Sequence, residues 1–324
     1  MSARAAHAMK LSGYMPALPT PFTDDDKIDY SAFKRLCGLQ IEHGATALVV
    51  CGTTGEAATL TLAEQAQLIR IAVAAAHGRV PVVAGAGSNA TEHAVELSRE
   101  AEANGADALL SVTPYYNKPT QDGLYLHFRD IAAATSLPLI LYDVPSRTVR
   151  GLADDTVVRL AELPGIIGLK DATGDIGRPL RLRTLLGADF TLLSGDDASS
   201  LGFIAQGGDG CISVASNLVP SLCAAIAAAW RRGDALRAQQ LMLAIAPLIA
   251  ALSCETNPAP LKYALSLCGL VSSKVRLPLV EISVHGRRVV GSALARLAAE
   301  CPDCLLDRAA IPAHPRGLVA AHSG

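Results

Sequence analysis

The chain has 324 residues, half of them hydrophobic and 18% charged, with a formal net charge of -2. A chain this long and this apolar can bury a sizeable core, which excludes an intrinsically disordered protein. The near-neutral balance, without a basic block, argues against nucleic acid as a partner.

Residues 1–12 read as a loose tail with no secretory apolar segment. The first strand-like run is "YMPALPTPF" (14–22), and "TALVVCG" (46–52) is the second. An amphipathic segment follows at 62–78, with Leu68, Ile71, Ala72 and Ala75 on one face and a glycine stop. After "PVVAGAG" (81–87) comes a helical segment at 91–105, opened by a Thr cap and closed by Asn-Gly. The remaining strand-like runs are "ADALLSV" (106–112), "PLILYDV" (138–144), "GIIGLKDA" (165–172), "FTLLSGD" (190–196) and "GCISVAS" (210–216). Beyond Trp230 the alternation stops. Residues 234–300 read as a small helical C-terminal domain and 301–324 as a second tail. The apolar runs at 222–230 and 243–252 are too short or too Pro-broken to span a bilayer, so no membrane partner is expected. Eight cysteines scattered through a large chain suit reduced thiols and a cytoplasmic setting, with "CPDC" (301–304) incidental.

Continuous apolar strands are buried on both faces, as in parallel sheets. Eight of them, each followed by a helix, suit an α/β fold of the (β/α)8 TIM-barrel type over 13–233. An open doubly wound sheet is the competing arrangement.

Barrel active sites lie at the C-terminal strand ends. Those ends carry Thr53 and Thr54, Tyr115 and Tyr116, Tyr142 and Arg147, Lys170, then Ser194, Gly195, Asp196 and Asp197, and finally Ile212 and Ser213. No His/Cys/carboxylate cluster with metal-ligand spacing appears among them. Lys170 has a bland reading, in which it snorkels or pairs with Asp171 or Asp175. On a buried strand, however, Asp171 points to the opposite face. Burial disfavours the charged form of an amine and leaves a base that attacks carbonyls, with neighbouring tyrosines to carry protons. "GTTGEAATL" (52–60) either holds a carboxylate with its hydroxyls and N–H groups or is an ordinary Thr-capped turn. Arg147 in "VPSRT" suits a substrate carboxylate or a surface ion pair. The two tyrosines of "TPYYNKP" (113–119) suit packing as well as chemistry. "GAGSNA" (85–90) matches a dinucleotide fingerprint but sits in the third unit of a series, with no acid at useful spacing except Asp107.

Together, "GTTGE", "VTPYYNKP", "LYDVPSRT", "GLKDATGD", "LSGDD" and "CISVASN" resemble the 4-hydroxy-tetrahydrodipicolinate synthase (dihydrodipicolinate synthase) family of the pyruvate-dependent class I lyase/aldolase superfamily, over about residues 12 to 300. The resemblance implies that Lys170 forms an imine with pyruvate and that Tyr142, Thr53 and Tyr116 make a proton relay. Tyr116 would reach into a neighbouring subunit's site. Thr54, Gly195 and Ile212 would surround the bound pyruvate, and Arg147 would take the carboxylate of L-aspartate 4-semialdehyde. It also implies a homotetramer of two tight dimers, and no cofactor beyond the covalent imine. Lysine-sensitive members bind L-lysine at the dimer interface. Here Asn89 and Tyr115 match that set, while Leu62, Gln65 and His93 replace two histidines and a glutamate, which implies weak or absent feedback. Rival readings are a sugar-acid or N-acetylneuraminate aldolase of the same superfamily, and a non-catalytic scaffold.

Overall fold

A computed structural model describes residues 9–301 and residue 305. Most of both expected tails lies outside these residues. The eight strands are β1 (Gly13–Pro16), β2 (Leu48–Val50), β3 (Val82–Gly85), β4 (Ala108–Val112), β5 (Leu139–Asp143), β6 (Ile166–Asp171), β7 (Thr191–Ser194) and β8 (Gly210–Ser213). Each is shorter than its apolar run, and in all but β4 the end of the run leaves the ladder at the rim.

Every ladder is parallel, and sequence neighbours pair from β2 through β8. β8 then pairs with β1, Gly13 standing opposite Gly210. The ring closes through one parallel bridge, Ala17 to Val49, where the Leu18 N–H donates to the Val49 carbonyl at 2.9 Å. This is the (β/α)8 barrel, and the open sheet is set aside.

Alternation along the strands divides the core in two. Met15, Val49, Val83, Leu110, Ile140, Leu193 and Ile212 fill the barrel. Leu48, Val82, Leu109, Leu141, Leu169 and Cys211 face the surrounding helices. Each fully buried leucine of this set contributes about 1.5–3 kcal/mol. The two glycines of the fingerprint-like "GAGSNA" serve packing. A Cβ on Gly85 would sit 2.0 Å from the Cys51 carbonyl oxygen, and one on Gly87 would sit 2.4 Å from the Val112 nitrogen.

The helix Leu62–Ala76 opens with a complete capping box between Thr61 and Glu64. Its buried stripe runs through Leu68, Ile69, Ala72 and Ala76, so Ile71 and Ala75 are only half-buried, a rotation from the expected face. The helix Thr91–Ala103 is capped by Ala90 rather than Thr91. The Thr91 hydroxyl is engaged elsewhere, 2.9 Å from His127 Nδ1.

The barrel ends with the helix Pro220–Arg231, which follows β8 and packs against β1, and after it come helices Ala235–Leu252, Ala259–Leu267 and Val284–Glu300. Ala235–Leu252 continues through Pro247, where a break is expected. By length and composition it is the one helix among the described residues able to cross a membrane. Here it packs against Pro220–Arg231 and Val284–Glu300 and buries Leu241, Ile245, Leu248 and Leu252. Cys37, Cys51, Cys211, Cys223 and Cys254 are free thiols. Cys301 is disulfide-bonded, which departs from the expectation of reduced thiols throughout; the rest of "CPDC" lies outside the described residues.

Candidate active site

Lys170 lies on β6 with its side chain in the barrel mouth, 6% exposed. Asp171, the next residue, points out of the barrel and pairs with Arg178 at 3.2 Å, and Asp175 pairs with Arg181 at 2.8 Å. Neither acid reaches Lys170. Its Nζ makes no ion pair or hydrogen bond among the described residues and rests over the ring of Tyr142, 4.1 Å from the centroid. Lys170 and Tyr142 are register partners on adjacent strands, which fixes that contact.

Gly195, just past β7, makes the room. A Cβ there would fall 3.0 Å from Lys170 Cε and 2.8 Å from the Ala172 Cβ. The Gly195 N–H donates to the Asp171 carbonyl at 2.6 Å, which holds the loop against β6.

The cavity around Lys170 is about 620 Å³. Thr53, Thr54, Tyr142, Arg147, Gly195 and Ile212 all line it. The structure therefore gathers three of the four expected catalytic residues and all four expected substrate-binding residues. The Thr53 and Tyr142 hydroxyls have no protein hydrogen-bond partner among the described residues, so both are available to a ligand. Thr53 and Thr54 are not helix caps, because Thr61 fills that role. Arg147 sits on the short helix Pro145–Thr148. It has no carboxylate partner among the described residues, and its Nη2 donates to the Asn257 carbonyl at 3.3 Å. Asp197 also lines the cavity, fully committed to the protein: it accepts from Ser213 Oγ at 2.5 Å, Val214 N at 2.8 Å and Ala215 N at 3.0 Å. Burial pushes its carboxyl up from the ordinary range against these bonds.

Tyr116 is not brought to Lys170. It is 90% exposed, with φ +72°, and lines neither cavity described here. A second cavity of about 440 Å³ shares Thr53, Tyr142, Val144, Arg147 and Asn257 with the first. Tyr115 and His93 line it, and Asn89 does not. The His93 Nδ1 lies 3.2 Å from Ser88 Oγ, and the Asn89 carbonyl accepts from Asn117 Nδ2 at 2.8 Å. The carboxylate among its lining residues is Glu56.

Sequence reasoning missed three contributors from the C-terminal region. Asn257 lines both cavities and its Nδ2 donates to Thr54 Oγ1 at 3.0 Å. Lys262 and Arg276 reach the other end of the same turn, both meeting Glu56. A lysine in the otherwise apolar "PLKYAL" (260–265) is the one signal that could have found Lys262, of the same kind that marked Lys170.

A family model for the dihydrodipicolinate synthetase family matches residues 10–297. The chain is 48% identical over 284 residues to 4-hydroxy-tetrahydrodipicolinate synthase of Rhodospirillum centenum, covering 88% of this chain and 97% of the relative. It is 48% identical over 285 residues to the enzyme of that name from Gluconobacter oxydans, covering 88% and 96%. Among solved structures, the chloride-inhibited dihydrodipicolinate synthase from Acinetobacter baumannii, complexed with pyruvate, superposes with a TM-score of 0.87 at 43% identity, covering 89% of this chain and 99% of that one. The Cyanidioschyzon merolae enzyme with lysine bound superposes with a TM-score of 0.86 at 37% identity, covering 89% and 98%. With the amine, the phenol, the hydroxyls and the guanidinium at one barrel mouth, and with this similarity over nearly its whole length, the chain belongs to the dihydrodipicolinate synthetase family.

Proposed function

We propose that this chain is a 4-hydroxy-tetrahydrodipicolinate synthase, a lyase that condenses pyruvate with L-aspartate 4-semialdehyde through an imine on Lys170. The observation that carries the reading is a buried lysine without an ion pair, beside a tyrosine whose hydroxyl is unengaged, among the described residues.

The Lys170 amine attacks the ketone carbon of pyruvate, and water leaves as the imine forms. The protonated imine accepts the electron pair when a methyl proton departs, giving an enamine. The enamine carbon attacks the aldehyde of the second substrate. The amine of that substrate then displaces Lys170, which closes the ring and frees the enzyme. Tyr142 moves protons at the imine and at the new hydroxyl, and Thr53 links it to the outer cavity. Thr54 and the strand ends at Gly195 and Ile212 surround the pyruvate, while Arg147 holds the carboxylate of the semialdehyde with a charge-assisted fork. The imine is itself the electron sink, so the reading calls for no metal or organic cofactor.

Tyr116 joins the relay only if a second copy of the chain presents it, so the reading includes a homo-oligomer, a tetramer built from two dimers. An exposed tyrosine in a left-handed backbone conformation suits a residue ordered by a partner. A sugar-acid or N-acetylneuraminate aldolase is not favoured. A polyol needs more hydrogen-bonding side chains than this mouth offers, and the similar enzymes named above carry the synthase name.

The test is borohydride reduction in the presence of pyruvate. The protein should gain one covalent adduct on Lys170, and Lys170→Ala should gain none. Aspartate semialdehyde, offered beside sugar acids, should be the carbonyl partner consumed. Absence of the adduct in the unaltered protein would favour a scaffold instead.

A further inference from the structure

The turn that carries Thr53 and Thr54 ends at Glu56, whose backbone is left-handed at φ +55°. Its N–H closes the turn on the Thr53 carbonyl at 3.1 Å. The Glu56 side chain is fully buried, and both oxygens are taken by residues far along the chain. Oε1 accepts from Lys262 Nζ at 2.7 Å, and Oε2 accepts from the Arg276 backbone N–H at 2.9 Å. Lys262 is itself fully buried on the helix Ala259–Leu267, with its Nζ 4.1 Å from the centroid of the Phe22 ring. The Arg276 guanidinium covers the same ring at 4.5 Å and donates to the Thr59 carbonyl and both oxygens of Glu64.

A buried ion pair is a poor source of stability, since taking both charges out of water offsets most of their attraction. What such a pair supplies is direction: one ammonium, one oxygen, one distance. Here it fixes the residue that closes the turn holding two active-site hydroxyls. The barrel provides no other anchor for the Glu56 carboxylate among the described residues. Hydroxyls that move protons tolerate little displacement, and an error of 1 Å in a catalytic group costs on the order of a hundredfold in rate.

We propose that the Glu56–Lys262 pair is a positioning device for the Thr53–Thr54 turn, making the C-terminal helical region a working part of the active site. Lys262 and Glu56 are positioning residues and touch neither substrate. The proposal rests on the reading that Thr53 and Thr54 act in the reaction.

The experiment uses Glu56→Gln, Lys262→Met and the double variant Glu56→Leu/Lys262→Met, in which an apolar pair replaces the charges. Turnover is divided by the fraction of chains that pyruvate and borohydride label, so unfolded protein does not count. Each folded variant should keep its Lys170 adduct, lose about tenfold to a hundredfold in kcat per labelled chain, and show KM changes smaller than the kcat change. The double variant should melt near the unaltered protein yet remain as slow as the singles, because the two residues act as one unit. Hydrogen exchange of the amides from 53 to 57 should be faster in every variant, whatever the enzyme catalyses. A double variant that folds and turns over within twofold of the unaltered protein would overturn the proposal, as would unchanged exchange in that turn. If instead the unaltered protein takes no adduct, the proposed function fails, and the exchange measurement still decides the role of the pair.

Discussion

Lys170 and Tyr142 stand on one rung of the barrel, register partners across β5 and β6, with the amine over the phenol ring. The ring face and the hydroxyl are separable by mutation. Tyr142→Phe keeps the surface on which Lys170 rests and removes the proton carrier. Turnover should fall by about 10²–10⁴-fold, while pyruvate still labels Lys170. Rapid-quench trapping beside steady-state rates measures both, and a Tyr142→Phe enzyme at full speed would take the phenol out of the proton path.

Gly195 leaves the space that Lys170 occupies. In Gly195→Ala the new methyl would meet Lys170 Cε at 3.0 Å and Ala172 Cβ at 2.8 Å. The strain should cost about 1–3 kcal/mol of stability. The displaced amine should lower kcat/KM for pyruvate by about tenfold or more. A melting curve and an adduct time course check the two effects separately. An adduct that forms at the ordinary rate would mean that the Lys170 chain has slack to yield.

Arg147 is exposed at the mouth, with no carboxylate partner among the described residues and one bond to the Asn257 carbonyl. Arg147→Ala should weaken the second substrate more than the first. Losing a charge-assisted bond of about 1.5–3 kcal/mol raises KM for the semialdehyde by about tenfold to a hundredfold. KM for pyruvate should move far less. Equal changes in both would assign the guanidinium to the shape of the mouth and not to the semialdehyde.

An amino-acid effector in the second cavity needs a carboxylate for its ammonium group. Glu56 lines that cavity, but both its oxygens are occupied by Lys262 and Arg276. Gln65, which also lines it, spends its amide on the Ala57 carbonyl at 3.3 Å. L-lysine should therefore inhibit weakly or not at all. Titrating lysine into the condensation assay tests this, and half-inhibition below about 1 mM, where binding is worth some 4 kcal/mol, would contradict it.

His127 is buried beside Thr91, and its Nε2 has no hydrogen-bond partner among the described residues. Burial lowers its pKa from the ordinary 6.5 to about 4. Between those values the unfolded chain holds a proton that the folded chain refuses. Stability from this group is therefore full above pH 6.5 and is lost as pH falls towards 4. The loss approaches about 3 kcal/mol. Urea melts at pH 7.5 and 4.5 should differ less for His127→Gln than for the unaltered protein; identical differences would place the acid sensitivity elsewhere.

The strands were legible because burial on both faces leaves continuous apolar runs, and the eightfold rhythm follows from their number. Their ends were not, since several runs stay apolar past the ladder, as at Ala86 after β3 and at Val214 and Ala215 after β8. Lys170 was visible as a charge in such a run. Asn257, Lys262 and Arg276 were not assigned, because nothing local links them to a turn some two hundred residues earlier. Pro247 misled in the opposite direction: its missing N–H is tolerated in a helix held by packing on two neighbours. Tyr116, expected in the proton relay, lies on the surface of a single chain, because the packing that would bring it to a site is not within that chain.

The bond between Glu56 and Lys262 spans 206 positions. During synthesis the first of these residues leaves the ribosome long before the second has been made. At about 5–20 residues per second, the carboxylate waits at least on the order of ten seconds for its ammonium. Until then it has no reason to leave water, and the hydroxyl turn has no reason to settle. A nascent barrel can thus own its reactive amine before it owns a finished site, which would delay activity until the last helices emerge.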